Sequence, residues 1–159
     1  GIRFASMDNL MFRVARCCNP IPGETVVGVI TRGRGISVHR VDCPNAFEER
    51  VGTDRRVEIE WDVDGYPSFL VRLVIYGMER QSLLADLANS ISNTKTNIKR
   101  ADIESFGSEA RGVFIVEVQN VKHLQRVIRA VRKVRGVLDV VREQLPSDAE
   151  LGEDQKWVG

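Results

Sequence analysis

The chain has 159 residues, with 23 Lys and Arg against 22 Asp and Glu, and is 43% hydrophobic and 6% aromatic. That balance is typical of a folded globular protein and excludes a wholly disordered chain. No apolar run approaches the roughly 20 residues that cross a bilayer. No secretory leader pattern opens the chain. Three cysteines are too few, and odd in number, for a disulfide scaffold, so a reducing, cytoplasmic compartment is expected.

The net charge of +1 is unevenly spread. Residues 68–145 hold 13 bases and 8 acids, whereas the tail from residue 146 holds Asp148, Glu150, Glu153 and Asp154 against Lys156 alone. A basic stretch of that kind suits a polyanionic partner, or simply a solvated surface.

Residues 1–9 read as a linker, and 10–62 as a small module. Within it, 25–31 and 36–40 look like two strands joined by Arg32-Gly33-Arg34-Gly35, a hairpin signal because glycine accepts positive φ. A short helix is expected over 45–50 after Pro44, and a third strand over 56–61. So few apolar residues make a small core, and a domain of this size commonly needs a staple. The Gly/Pro-containing run 62–67 then marks a boundary.

Residues 68–145 alternate strand and helix patterns. Residues 69–75 form a β-rich run, and 77–81 break it. Ser82 is placed to cap a helix whose apolar face is Leu83, Leu84, Leu87, Ala88 and Ile91. Polar residues 93–97 end that helix. A weaker strand covers 98–105, a glycine-containing loop 106–112, and a strong strand 113–118. A second helix over 121–135 buries Val121, Leu124, Val127, Ile128, Val131 and Val134. Gly136 stops it before a last strand at 137–142. The order is βαββαβ, the split βαβ arrangement of a ferredoxin-like α+β fold, with the acidic tail at 146–159 after it.

Cys17, Cys18, His39 and Cys43 are three thiols and one imidazole, the donor set of a closed tetrahedral zinc site. Adjacent cysteines converge only if the backbone turns sharply, and Asn19-Pro20 supplies a turn signal. Three other readings stay open on spacing alone. The cysteines can be small buried hydrophobes. The vicinal thiols can be redox-active. A Cys/His nucleophile would lack an orienting third residue.

Arg32 and Arg34, with Arg40 nearby, can grip phosphates or stand solvated. Lys122, Arg126, Arg129 and Lys133 share one face of the second helix. RNA would offset that charge, and so would an acidic surface such as the tail. The paired strand aromatics that stack bases in RNA-recognition domains are missing, so contact would be mainly electrostatic. No phosphate-loop or dinucleotide glycine pattern and no convergent set of carboxylates is present, so the chain reads as non-catalytic.

The run Cys17-Cys-Asn-Pro-Ile-Pro-Gly-Glu24, with Gly28-Val-Ile-Thr-Arg-Gly-Arg-Gly-Ile-Ser-Val-His-Arg-Val-Asp-Cys-Pro-Asn45, closely resembles the conserved-cysteine or zinc-finger module of long RelA/SpoT-type stringent-response enzymes. The βαββαβ half of the chain resembles their C-terminal ACT domain. The resemblance implies a β-rich zinc-finger-like module over 10–62 and an ACT domain over 68–145. It implies zinc on Cys17, Cys18, His39 and Cys43, and ribosome docking beside rRNA and tRNA. It further implies control of the catalytic domains of a parent that is a GTP diphosphokinase, a (p)ppGpp 3′-pyrophosphohydrolase or both. The alternative it implies is an ACT-type amino-acid sensor that forms a homodimer. A branched-chain amino acid would then sit near Glu79, Arg80, Gln81, Ser82, Asn97 and Ile98. In the ACT pattern Asp-Arg-x-Gly-Leu, this chain has Ser82 in place of the glycine that lets a ligand approach the backbone.

Overall fold

The computed structural model describes residues 2–4, 12–31, 35–61 and 68–146. The chain divides into two compact units, one drawn from residues up to Pro67 and from Gln144 onward, the other spanning Ser68–Glu143.

The first unit is a five-stranded sheet in the order β1-β5-β3-β4-β2. Strands β3 (Val26–Thr31) and β4 (Gly35–Arg40) form the expected antiparallel pair, and β5 (Arg56–Trp61) pairs with the other edge of β3. Two three-residue strands complete it: β1 (Ile2–Phe4) lies antiparallel to β5, and β2 (Phe12–Val14) lies parallel to β4. Residues 2–4, expected to be linker, therefore belong to this sheet. The short helix expected over 45–50 is split into a 3₁₀ turn, Pro44–Ala46, and a single helical turn, α1 (Glu48–Val51). Gly28 sits where side chains converge: a Cβ there would meet Ile59 Cδ1, with Val57 Cγ2 at 2.7 Å and Ile36 Cγ2 at 2.8 Å. The glycine makes room for those three residues to close over the sheet.

The second unit has a four-stranded sheet, β7-β8-β6-β9, with helices α2 (Leu83–Ser92) and α3 (Val121–Arg132). The strands are β6 (Phe69–Met78), β7 (Asn97–Phe106), β8 (Glu109–Val118) and β9 (Val137–Glu143). Each helix links two parallel strands that flank a third, and α2 and α3 pack against each other, as expected where both crossovers share the usual right hand and cover one face. Val71, Leu73, Ile75, Phe114 and Val116 are almost fully buried toward them, as are Leu83, Leu87 and Ile91 of α2 and Leu124, Val127 and Val131 of α3. The opposite face reads differently. By register it carries Arg72, Arg100 and Arg111 against Asp102, Glu104, Glu109, Glu117, Asp139 and Glu143, with Tyr76, Met78 and Phe106 exposed among them.

Several boundaries differ from expectation for physical reasons. Ser82 does not cap α2: its φ is +66°, and its side chain makes no capping bond. The 106–112 loop shrinks to Gly107-Ser108, and Gly112 is instead a strand residue against which the Phe114 ring packs. Leu84 is exposed. Helix α3 stops at Arg132, not at 135, because the chain tightens into successive three-residue turns, with Lys133, Val134 and Val137 donating to Ala130, Val131 and Val134. Gly136, at φ +95°, turns the chain into β9 and does not end the helix.

Candidate metal centre

The four predicted ligands come from three short segments around β4. Asn19 N–H donates to the Ala15 carbonyl at 2.9 Å, wrapping residues 16–18 into one turn, and Asn19 leaves that turn at φ +45°. Asn tolerates this left-handed conformation better than most residues. The turn supplies the sharp bend that adjacent cysteines require. His39 lies on β4, and a turn closed by Cys43 N–H to the Arg40 carbonyl at 3.0 Å returns Cys43 toward it.

The ligand atoms lie within 4.8 Å of one another. Cys17 Sγ is 3.4 Å from His39 Nδ1 and 3.6 Å from Cys43 Sγ, and Cys18 Sγ is 3.8 Å from the same Nδ1. A tetrahedral zinc, with Zn–S near 2.3 Å and Zn–N near 2.0 Å, spaces its ligand atoms by about 3.5–3.8 Å. The donor set and its spacing therefore fit a metal ion of that size. His39 Nε2 is 2.9 Å from Ser37 Oγ. A proton on Nε2 shared with Ser37 leaves the Nδ1 lone pair facing the sulfurs. Arg40 N–H donates to Cys18 Sγ at 3.3 Å.

The thiols do not behave as independent acids. Cys17 is drawn down to about 3, first by the hydrogen bond from Cys18, then by His39, Asn45 and Cys43, against the effect of burial. Cys18 is pushed up by its bond to Cys17 and by burial, and Cys43 is pushed up chiefly by burial. One thiolate is accommodated, and further negative charge in so small a volume calls for a cation. Cys18 and Cys43 are also core residues, packed with Ala15, Val27, Val29 and Ala46. The buried-hydrophobe and metal-ligand readings thus meet in the same side chains. Ser37 and Asn45, which support the site, carry no sequence signal beyond being polar residues near the ligands.

The other predicted residues fall into separate places. Arg32 and Arg34 lie outside the described residues. Arg40 points its Nε at Asp42, 3.1 Å away, with Glu24 at 3.9 Å. Lys122, Arg126, Arg129 and Lys133 are exposed on α3. The last three line an open groove of about 430 Å³ with Ser90, Asn93, Thr94 and Ala130.

The six residues of the expected effector site are not gathered within one copy. Ser105 donates to the Glu79 carboxylate. All three side-chain nitrogens of Arg80 are engaged: Nε donates to the Arg135 carbonyl at 2.9 Å, Nη1 to the Gln81 carbonyl at 2.9 Å, and Nη2 pairs with Asp86 at 2.8 Å. Ser82 is exposed at the start of α2. Asn97 reaches Glu117 at 3.4 Å, at the far end of β7 from Ser105 and about 27 Å along the strand. Ile98 beside it is half-buried.

A buried polar group escaped the sequence reading. His123 lies on the core side of α3, beneath the α2–β7 connection. Its Nδ1 accepts from Gln119 N–H at 3.1 Å, so Nε2 carries the proton and donates to Thr96 Oγ1 at 2.7 Å. Thr96 donates to Thr94 Oγ1 at 2.7 Å, and Thr94 to the Ile91 carbonyl at 2.6 Å. Asn120 Oδ1 caps the helix by accepting from His123 N–H at 2.9 Å.

Comparison with known proteins matches residues 2–62 to the RelA/SpoT RIS domain and residues 67–142 to the ACT domain. The bifunctional (p)ppGpp synthase/hydrolase RelA of Mycobacterium tuberculosis is 35% identical over 143 residues, covering 89% of this chain and 19% of that protein. A GTP pyrophosphokinase of Myxococcus xanthus is 37% identical over 143 residues, with 89% and 19% covered. Among solved structures, the ACT domain from the GTP pyrophosphokinase of Chlorobium tepidum is 25% identical with a TM-score of 0.44, covering 47% of this chain and 97% of that one. The chain spans about a fifth of the length of the curated relatives it matches.

Proposed function

Because this chain belongs to the RelA/SpoT family, carrying a RIS domain followed by an ACT domain, we propose that it is a cytoplasmic regulatory segment without chemistry of its own. It docks on ribosomal RNA beside tRNA and thereby controls the (p)ppGpp synthetase and hydrolase domains of a longer parent. No described helix is long and apolar enough to cross a membrane.

The supporting observation is the charge of the helix layer. Residues 121–135 contain Lys122, Arg126, Arg129, Arg132, Lys133 and Arg135 and no acid. None of these six side chains forms an ion pair with a described residue. Arg126, Arg129 and Lys133 surround a groove that also offers the polar side chains of Ser90, Asn93 and Thr94. Such a face attracts a string of phosphates at close range and asks for no base-specific contact. Arg32 and Arg34, between β3 and β4 in the sequence, would offer a separate phosphate contact of the RIS domain.

Zinc is the ion we assign to Cys17, Cys18, His39 and Cys43. Bound there it supplies structural cross-linking only, since four protein ligands leave no open position for catalysis. The ligands tie the 15–19 turn and the Pro44–Ala46 turn to β4, the link that a core of so few apolar residues needs.

Titration of the purified chain onto ribosomes and onto structured rRNA across a range of salt tests the docking. Affinity falls steeply with salt, and Arg126→Glu with Arg129→Glu reduces the log–log slope by about two units. Absence of binding even at low salt, or a salt slope unchanged by the double substitution, removes this reading.

A further inference from the structure

We propose that Cys17 and Cys43 form an oxidant-responsive pair, in which a hydroperoxide oxidises Cys17, Cys43 closes a disulfide onto it, and the bound metal is ejected. The first two steps rest on the side-chain geometry. The third rests on the zinc reading of the same site.

Access selects Cys17 as the point of entry. It is partly exposed, whereas Cys18 and Cys43 are 9% and 4% exposed. Geometry offers Cys43 as its partner, because the two sulfurs stand 3.6 Å apart. Cys18 is disfavoured twice. Its sulfur is already engaged as the acceptor of the Arg40 N–H. A disulfide to its own chain neighbour would also force an eight-membered ring containing the 17–18 peptide bond, far from relaxed disulfide geometry.

The chemistry balances in two steps. The Cys17 thiolate attacks one peroxide oxygen, the O–O bond breaks, an alkoxide or hydroxide leaves, and the sulfur is oxidised by two electrons to a sulfenic acid. The Cys43 thiolate then attacks that sulfur, an S–S bond forms, and hydroxide departs. Two thiolates are consumed for one hydroperoxide reduced. Cys18 and His39 alone remain as ligands, and two donors do not retain a zinc ion against water. Oxidation would thus exchange a metal cross-link for a covalent one between the same two turns, releasing His39 of β4 from its metal tie to them while the backbone bonds from Ala15 N–H to Val38 and from Cys43 N–H to Arg40 remain.

The test uses the full chain in zinc-loaded and metal-free forms, exposed to hydrogen peroxide. Released zinc is read with a chromogenic chelator, and products are read by intact mass and by peptide fragmentation that separates Cys17 from Cys18. The expected result is one zinc released per disulfide, a 17–43 link in both forms, Cys18 still open to alkylation, and recovery with a dithiol and zinc. Cys17→Ser slows peroxide-driven release by at least about tenfold, while Cys18→Ser keeps the 17–43 link. Where a variant fails to fold, the peptide map of the unsubstituted chain decides alone. A predominant 17–18 or 18–43 link, or oxidation without any disulfide, overturns the pair. A chain that purifies and reconstitutes without metal, yet still forms the 17–43 link, overturns the zinc assignment and leaves the pair standing.

Discussion

Replacement of Thr96 or His123 should loosen the α2–β7 connection from α3, and pH should report it. The hydrogen bonds from Gln119 N–H through His123, Thr96 and Thr94 to the Ile91 carbonyl run in one direction, so each member has one assigned role. Thr96→Val keeps the shape and removes the hydroxyl, leaving the buried His123 Nε2–H without its acceptor. An orphaned buried donor costs about 1–3 kcal/mol. The histidine is held neutral first by burial and then by the Arg126 charge, which place its pKa below the ordinary 6.5. The unfolded chain therefore takes up this proton more readily. The stability tied to neutral His123 is complete above about pH 7 and is lost as pH falls through 6.5 toward the folded value, by up to about 1.4 kcal/mol per pH unit. Urea unfolding followed on the Val127 and Val131 methyl signals between pH 8 and pH 5 measures both effects. Thr96→Val lowers the midpoint at pH 8, and His123→Leu flattens the acid limb. If His123→Leu keeps the slope of the unsubstituted chain, the acid sensitivity belongs to other groups and the assignment is wrong.

Chelation of the zinc-loaded chain should unfold the RIS unit while amide exchange in the ACT unit stays slow, and Cys43→Ser should do the same, because binding energy at such a site is also folding energy. Gly28→Val drives a side chain into Ile59, Val57 and Ile36 and should cost about 1–3 kcal/mol in a thermal melt, partly recovered by Ile59→Ala. Arg80→Ala removes the bonds to the Arg135 and Gln81 carbonyls and the pair with Asp86. It should destabilise the ACT unit by about 1 kcal/mol or more, with faster exchange in residues 79–82 and 133–136 and no change in the RIS unit.

The parts legible in the sequence were those where one local signal dominates. The β-branched runs of β3, β6 and β8 and the periodic Leu and Val of α2 and α3 needed no partner to be recognised. Strands β1 and β2 leave no sequence signal, because three residues cannot display an alternation. Gly112 reads as a loop residue in sequence, since a glycine beneath an aromatic ring looks there like one in a turn. Ser82 shows a preference overruled: a good capping residue occupies a left-handed position that its hydroxyl cannot exploit. At the metal centre the ligand types and the turn signal at Asn19-Pro20 are readable, and the means by which that turn brings Cys17 and Cys18 together are not. Those means are a bond from Asn19 back to Ala15 and a positive φ. Arg80 enters the expected effector site only through the ACT resemblance, and the Arg135 carbonyl that its Nε bonds lies 55 residues away, where no local pattern reveals it.

The two sides of the ACT sheet finally give that unit a direction. Cations gather on the helical side, and carboxylates outnumber arginines on the reverse. In the field of a polyanion such a body experiences a torque as well as a pull, and it turns its helices inward before any atom touches. The alignment survives to roughly one screening length, about 8 Å in physiological salt. If the proposed docking holds, the reverse side, with Tyr76, Met78 and Phe106 uncovered, would be left pointing away from the polyanion over that last stretch.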